Sequence, residues 1–308
     1  MGRKRQGRAI NGWVILDKPS GMTSFGAVSA VRWALGAAKA GHGGTLDPLA
    51  SGLLPIAMGE ATKTLPYIVD SRKSYRFTVR WGEARDTDDS EGAIVAASAH
   101  RPEPAAIEAV LPRFVGVIEQ VPPRYSAIKV EGRRAYALAR ADIPVVLPPR
   151  PVLIERIALV AILDADHAVF EVACGKGAYM RALARDLAVA LGTVGHVAAL
   201  RRTAVGPFTE QDAIALDKVQ AVRHSDAVPQ QVLPVAAALA GIPALALTEA
   251  EARRIQRGQA IAVLPVVSRL PQSVLCKDAI VCAMAEDKPI ALAQIRGGEV
   301  RPLRVLNL

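Results

Sequence analysis

Cysteine is scarce and unpaired in this chain. Cys174, Cys276 and Cys282 are odd in number and show no metal-ligand spacing. That excludes a disulfide framework and points to a reducing, cytoplasmic compartment. The five histidines, His42, His100, His167, His196 and His224, are scattered, which excludes a structural zinc site. No apolar run approaches the length of a membrane span, and the basic start from Met1 to Arg8 is not followed by the apolar core of a signal peptide. Internal repeats and long low-complexity tracts are missing as well. Acidic residues are outnumbered, 29 against 38 Lys and Arg, so the 308-residue chain carries a formal charge of +9. An excess of that sign suits a polyanion such as nucleic acid.

What is present divides into a large part and a small one, with enough chain to bury a core unaided. After a basic arm over residues 1–8, Trp13 to Leu16 reads as a strand and Asp17 to Gly21 as a turn. A helix follows, with Ser24 as its cap, Phe25, Val28, Val31 and Leu35 at helical spacing and Gly36 as its stop. Lys73 to Trp81 alternates as a strand, with Tyr75, Phe77, Val79 and Trp81 on one face and Arg76, Thr78 and Arg80 on the other. The acids of Gly82 to Gly92 do not make a calcium loop, because Glu91 stands where the glycine belongs, so the segment reads as a solvated acidic turn. A helix is expected over residues 102–117, begun at Pro104 and ended or kinked at Pro112.

Residues 120–151 are bracketed by prolines and carry Arg124, Lys129, Arg133, Arg134, Arg140 and Arg150, with Tyr125 and Tyr136 interleaved. That composition suits a lobe that touches an RNA backbone and stacks on bases, or an ordinary excursion with a solvated face. Strands at Val152–Leu163 and Ala168–Cys174 lead through Gly175 to Ala178 into a helix that Gly192 stops. Arg181 falls in the first turn of that helix, where a cation opposes the helix dipole at a cost of about 0.3–1 kcal/mol. Such a residue wants a carboxylate or phosphate beside it, or else it lies solvated. From Leu233 the composition marks a boundary; Thr248 to Glu251 is a capping box, and short strands near Val274–Cys276, Ala279–Ala285, Ile290–Arg296 and Val300–Leu306 suit a small β-barrel-like module.

The densest chemistry lies in Gly41 to Lys63, GHGGTLDPLASGLLPIAMGEATK. One carboxylate, Asp47, is set among Leu46, Leu49, Leu53, Leu54, Ile56 and Met58, and a partly dry carboxylate needs a partner or a job. An Asp-Pro pair also serves as a helix start, with Asp as the cap, and a histidine beside glycines serves as a turn residue.

Taken with LDKPSGMTS, the KSY of the alternating strand, PPRYSAIKVEGRRAY, CGKGAYMRALARDL and LRRTAVGPF, this stretch resembles the bacterial tRNA pseudouridine-55 synthases, the TruB family. The likeness spans most of residues 13–208. It implies an α+β fold: a pseudouridine synthase catalytic domain over 1–240 around a mixed, largely antiparallel sheet, and a C-terminal β-barrel-like PUA module over 241–308. It implies an isomerase that converts the TΨC-loop uridine of tRNA to pseudouridine, breaking the C1′–N1 bond and rejoining through C5 after flipping the base. By matching position Asp47 is the catalytic aspartate, Arg181 its ion-pair partner, and Tyr75 the ring that stacks on the flipped uracil. Tyr179 and Leu200 line the nucleotide pocket, and His42 enters the space the base vacates. Lys18 of LDKP is supporting structure, and the 120–151 lobe closes on the T arm. The resemblance implies no metal or organic cofactor, no membrane and a monomer without an obligatory protein partner. Two competing readings are a tRNA-binding folding chaperone with secondary or no isomerase activity, and a related synthase that works with guide partners on another RNA.

Overall fold

In the computed structural model, which describes residues 7–130, 132–139, 141, 143, 146–221, 232–270, 274 and 278–308, one ten-stranded mixed sheet organises the larger part. Its main path runs Ile214–Ala215, Gly12–Lys18, Ser51–Met58, Gly195–Val205, Lys73–Trp81, His167–Cys174, Arg150–Ile162 and Gly116–Gln120. The pairs are antiparallel except at two places, Leu16 beside Ile214 and Gly52 beside Arg202. The short strand Ala40–His42 lies off this path against Ser51–Met58.

Alternation along the strands builds two cores. Val14, Leu16, Phe77, Val79, Trp81 and Phe170 pack with Val31 and Leu35 of the helix Ser24–Leu35, and with Leu183 and Leu187 of the helix Met180–Ala190. Trp13 and Ile15 point the other way, onto Leu53, Val205, Phe208, Val235 and Leu239. A strand buried on both faces has to be apolar throughout, as Trp13 to Leu16 are. Cys282, Leu292 and Leu306 belong to this second core, so the C-terminal sheet is fastened to the larger part by apolar contact. Lys63 Nζ also donates to the Val305 carbonyl at 2.8 Å, and the Asn307 N–H to Glu60 at 2.7 Å.

That C-terminal sheet has five strands, ordered Ala244–Ala246, Ile280–Ala285, Lys288–Arg296, Glu299–Val305 and Ile261–Ala262, with its own core of Leu245, Ile255, Val281, Ala291 and Val300. The expected capping box opens the helix Glu249–Gln256. Positions 275 and 276 of the strand expected at Val274–Cys276 lie outside the described residues, as do residues 1–6, Arg140 and His224. Two other expectations shift. Thr23, not Ser24, caps the first helix, accepting the Gly26 N–H at 3.0 Å, because Ser24 is already helical and is turned inward. The 102–117 segment is an α-helix only over Pro104–Val110 and tightens to a 3₁₀ turn at Leu111–Phe114, where Pro112 has no N–H to continue the ladder.

The parallel crossing at Gly52 ties the Asp47 loop to the sheet. Gly52 has φ +95, and a Cβ there would stand 2.2 Å from the Arg202 carbonyl oxygen. Gly52→Ala combines left-handed strain with a backbone clash, and is expected to cost about 3 kcal/mol or more. Denaturant unfolding checks this, with no shift of the midpoint as the contrary result.

Candidate active site

The loop that carries Asp47 is held from below. The Lys18 ammonium, fully buried, donates to the carbonyls of Pro19 at 2.8 Å, Met22 at 2.7 Å and Pro48 at 3.3 Å. Burial pushes it down to about 8, with Asp47 opposing. Ser24 grips the Leu46 backbone from both sides, donating to its carbonyl at 2.9 Å and accepting its N–H at 2.8 Å. Gly43 has to be glycine because a Cβ would meet Ile68 Cγ2 at 2.4 Å. No helix starts at Asp47-Pro48; the chain turns and enters Ser51–Met58, so the carboxylate is not spent as a cap.

Its partner is Arg181. The guanidinium donates through Nε to Asp47 Oδ2 at 2.9 Å and through Nη2 to Oδ1 at 3.1 Å, a two-pronged pair. It also donates to the carbonyls of Thr87 and Tyr125, both at 2.9 Å, and Asp89 Oδ2 lies 3.6 Å from Nε. The Arg181 side chain is 4% exposed and that of Asp47 33%, so the cation is buried while the carboxylate faces open space. A first-turn cation facing two carboxylates is more than compensated for its place on the dipole.

The acidic turn over residues 82–92 is therefore solvated only in part, with Glu91 exposed and Asp89 buried. Arg181 and Arg185 stand one helical turn apart on the same face and draw Asp89 and Asp88 into the protein. Asp89 is 3% exposed and accepts from the Thr87 hydroxyl and the Glu91 N–H; burial raises the Asp88 carboxyl, with Arg185 opposing.

Two cavities meet at this ion pair. One, of about 550 Å³, is lined by Lys73, Tyr75, Tyr179, Leu200 and Arg202 together with Asp47 and Arg181. The other, of about 710 Å³, has Phe25, His42, Asp89, Tyr125 and Tyr136 around the same two residues. The six residues picked out in the sequence thus line these two cavities, His42 in the larger, Tyr75, Tyr179 and Leu200 in the smaller, and Asp47 and Arg181 in both. Burial raises the phenols of Tyr75 and Tyr179. Among the described residues no cluster of His, Cys, Asp and Glu could hold a metal ion.

Arg202 was hidden in a basic run. It is 1% exposed, and it donates to the carbonyls of Leu53 at 2.8 Å and Gly44 at 3.1 Å, beside Tyr75 in the neighbouring strand. The alternation of Gly195–Val205 carries the signal: Leu200 and Arg202 share the inward face, and Arg201 points outward to Asp17 and Glu210. Asp89 left no such trace among its acidic neighbours.

Two family models match. Residues 32–180 fit the TruB family pseudouridylate synthase N-terminal domain, and residues 181–240 the tRNA pseudouridylate synthase B C-terminal domain. The chain belongs to the TruB family. As such it is a pseudouridylate synthase, an isomerase. Proteins named tRNA pseudouridine synthase B are 56% identical to it in Rhodospirillum rubrum over 308 residues, and 49% in Caulobacter vibrioides over 309, each covering all of both chains. A chain of a Cbf5–Nop10–Gar1 complex superposes with a TM-score of 0.77 at 25% identity, covering 96% of this chain and 84% of that one. A chain of an H/ACA RNP bound to a substrate RNA containing 2′-deoxyuridine shares the fold, with a TM-score of 0.74 at 22% identity, covering 100% of this chain and 92% of that one. The seam between the two TruB segments falls at the start of Met180–Ala190, and Gly195–Val205 runs between strands of the first segment, so the two segments build one sheet.

Burial pushes the His42 imidazole below its ordinary 6.5, with Arg202 acting in the same direction and the Gly44 backbone opposing. Its proton affinity is thus lower folded than unfolded, and the stability this supports is complete above the unfolded pKa and lost as the pH falls below it. Moving from about pH 7.5 to about pH 5.5, across the ordinary histidine range, is expected to lower the urea midpoint of the wild type more than that of His42→Gln. Equal shifts would refute the assignment.

Proposed function

We propose that this TruB-family enzyme converts the T-loop uridine of tRNA, position 55, to pseudouridine. The observation that carries this reading is the two-pronged pairing of Asp47 with Arg181 at the meeting of two cavities, in a chain matched along its full length by proteins named tRNA pseudouridine synthase B. In the reaction the C1′–N1 bond breaks, the uracil turns, a C1′–C5 bond forms, and the proton lost from C5 is balanced by one gained at N1. One carboxylate suffices for this, where hydrolysis of a glycosidic bond uses two. Arg181 fixes the orientation of Asp47, and Tyr75 supplies a face for the uracil in the 550 Å³ cavity beside Tyr179 and Leu200. A uridine stacked in a folded loop has to leave its stack to enter that cavity, and His42 takes the space on the opposite side.

RNA contact beyond the site is assigned to the 120–151 lobe, where Tyr125 and Tyr136 border the 710 Å³ cavity, and to a PUA-like module over residues 241–308. The catalytic unit is taken as residues 1–240. The protein is taken as a monomer in the cytoplasm, which the buried, unpaired Cys174 and Cys282 suit. A chaperone alone would have no use for a carboxylate clamped at a cavity junction, and full-length likeness to proteins named tRNA pseudouridine synthase B, 56% identical in Rhodospirillum rubrum, outweighs the 25% likeness to the chain found with Nop10 and Gar1.

The test is incubation with unmodified tRNA transcript followed by chemical mapping of pseudouridine. Conversion is expected at the T-loop uridine, and an untouched loop sinks the reading. Asp47→Asn should show no turnover yet bind tRNA almost normally, since binding rests on basic and stacking contacts; a parallel loss of affinity would make Asp47 structural. Arg181→Lys keeps the charge but not the planar fork, and should be slower by about 10²-fold. A near-normal rate would discard the orienting role of the guanidinium.

A further inference from the structure

The lobe leaves the sheet after Gln120 and returns at Arg150, and these two residues are direct partners on adjacent strands. An excursion that begins and ends at one point is placed by the contacts at its base. Those contacts converge on a single helix start. The Gln120 side chain, in a residue 1% exposed, accepts the Tyr179 N–H through Oε1 at 2.8 Å and donates through Nε2 to the Tyr179 carbonyl at 3.1 Å. Arg185 Nη2 donates to the Val121 carbonyl at 2.7 Å, and Arg181 Nη2 to that of Tyr125 at 2.9 Å. The last of these is the nitrogen that also donates to Asp47 Oδ1.

A carboxamide pairing with both polar groups of one peptide residue needs a donor and an acceptor at fixed separation, which glutamine supplies. Left unmatched, the Tyr179 N–H would be an unsatisfied buried donor at the head of the helix, while its carbonyl, which also accepts the Leu183 N–H at 3.0 Å, would lose its second partner. The residue it fixes is Tyr179, which lines the nucleotide cavity immediately before Arg181. Because Arg181 Nη2 is shared between Tyr125 and Asp47, a displaced lobe base would pull the fork off the carboxylate. Lobe and ion pair are mechanically one unit, joined at Gln120.

We propose that Gln120 is a positioning residue for the isomerisation, holding the lobe base in register with Tyr179 and Arg181, so that the lobe seated on RNA and the oriented Asp47 are a single state. The inference rests on the isomerase reading. It concerns the rate of the bound complex, not the strength of binding.

The experiment compares wild type, Gln120→Ala and Gln120→Glu in single-turnover conversion at saturating unmodified tRNA transcript, with filter binding of the same RNA and thermal unfolding alongside. Gln120→Ala is expected to slow the saturated step by about 10-fold or more while leaving RNA affinity unchanged. Gln120→Glu adds a readout that packing alone would not move. Its ionised carboxylate cannot donate to the Tyr179 carbonyl, whereas the protonated acid can, and burial favours the protonated form. Its rate relative to wild type should therefore rise as the pH falls from about 8 towards about 5.5, above the ordinary Glu value, and Gln120→Ala should show no such rise. A saturated rate in Gln120→Ala within about twofold of wild type, less than 0.5 kcal/mol by the usual conversion, overturns the proposal. So does a rate loss that only tracks lost folded protein, with no pH recovery in Gln120→Glu. A wild type that leaves the transcript unmodified fails the isomerase reading instead, so the two failures are told apart.

Discussion

One buried guanidinium holds the working end of this enzyme together. Arg181 sits at a helix start, where its charge is disfavoured, and it is kept there by Asp47, Asp89 and the carbonyls of Thr87 and Tyr125. These four partners come from three separate stretches of chain: the glycine-rich loop, the acidic turn, which supplies two of them, and the base of the lobe. A buried cation with partners on all sides is costly to disturb by removing any one of them. The site is thus assembled around the arginine, and Asp47, the carboxylate proposed to act on the substrate, is left partly in the open.

The charges around Asp47 are lopsided in a way that suits its substrate. Lys18, Lys73 and Arg202 are all buried nearby and spend their donors largely on backbone carbonyls. Burial takes both lysines down to about 8. Such groups place the loop and the Tyr75 strand while lending positive potential to a region a polyanion has to approach.

Much of this was legible in the residues, and the failures have clear causes. The alternation of Lys73–Trp81, the helix carrying Arg181 and the capping box at Thr248 are local patterns, and local patterns survive folding. Asp47 and Arg181 could be paired because each was anomalous alone, an acid in an apolar run and a cation at a positive helix end. Asp89 was misread because five acids in one short segment look solvated, and the arginines that bury it lie about ninety residues away in sequence. Gln120 looked ordinary for the same reason: its role is a pair of bonds to the backbone of a distant residue, and a backbone partner leaves no mark in a side-chain pattern. The helix cap moved by one residue because Ser24 and Thr23 are equally good caps by type, and only the Leu46 backbone chose between them.

The strand Gly195–Val205 lies in the middle of the sheet although it comes late in the chain, with Ser51–Met58 on one side and Lys73–Trp81 on the other. During synthesis the earlier strands therefore wait with open edges until this one arrives, and folding is slow where such distant pairings have to close. Asp47 and Tyr75 meet their pocket wall only when Leu200 and Arg202 slot between them. A growing chain thus carries Asp47 and Tyr75 long before it has their pocket, and it gains the site and the centre of the sheet in one step.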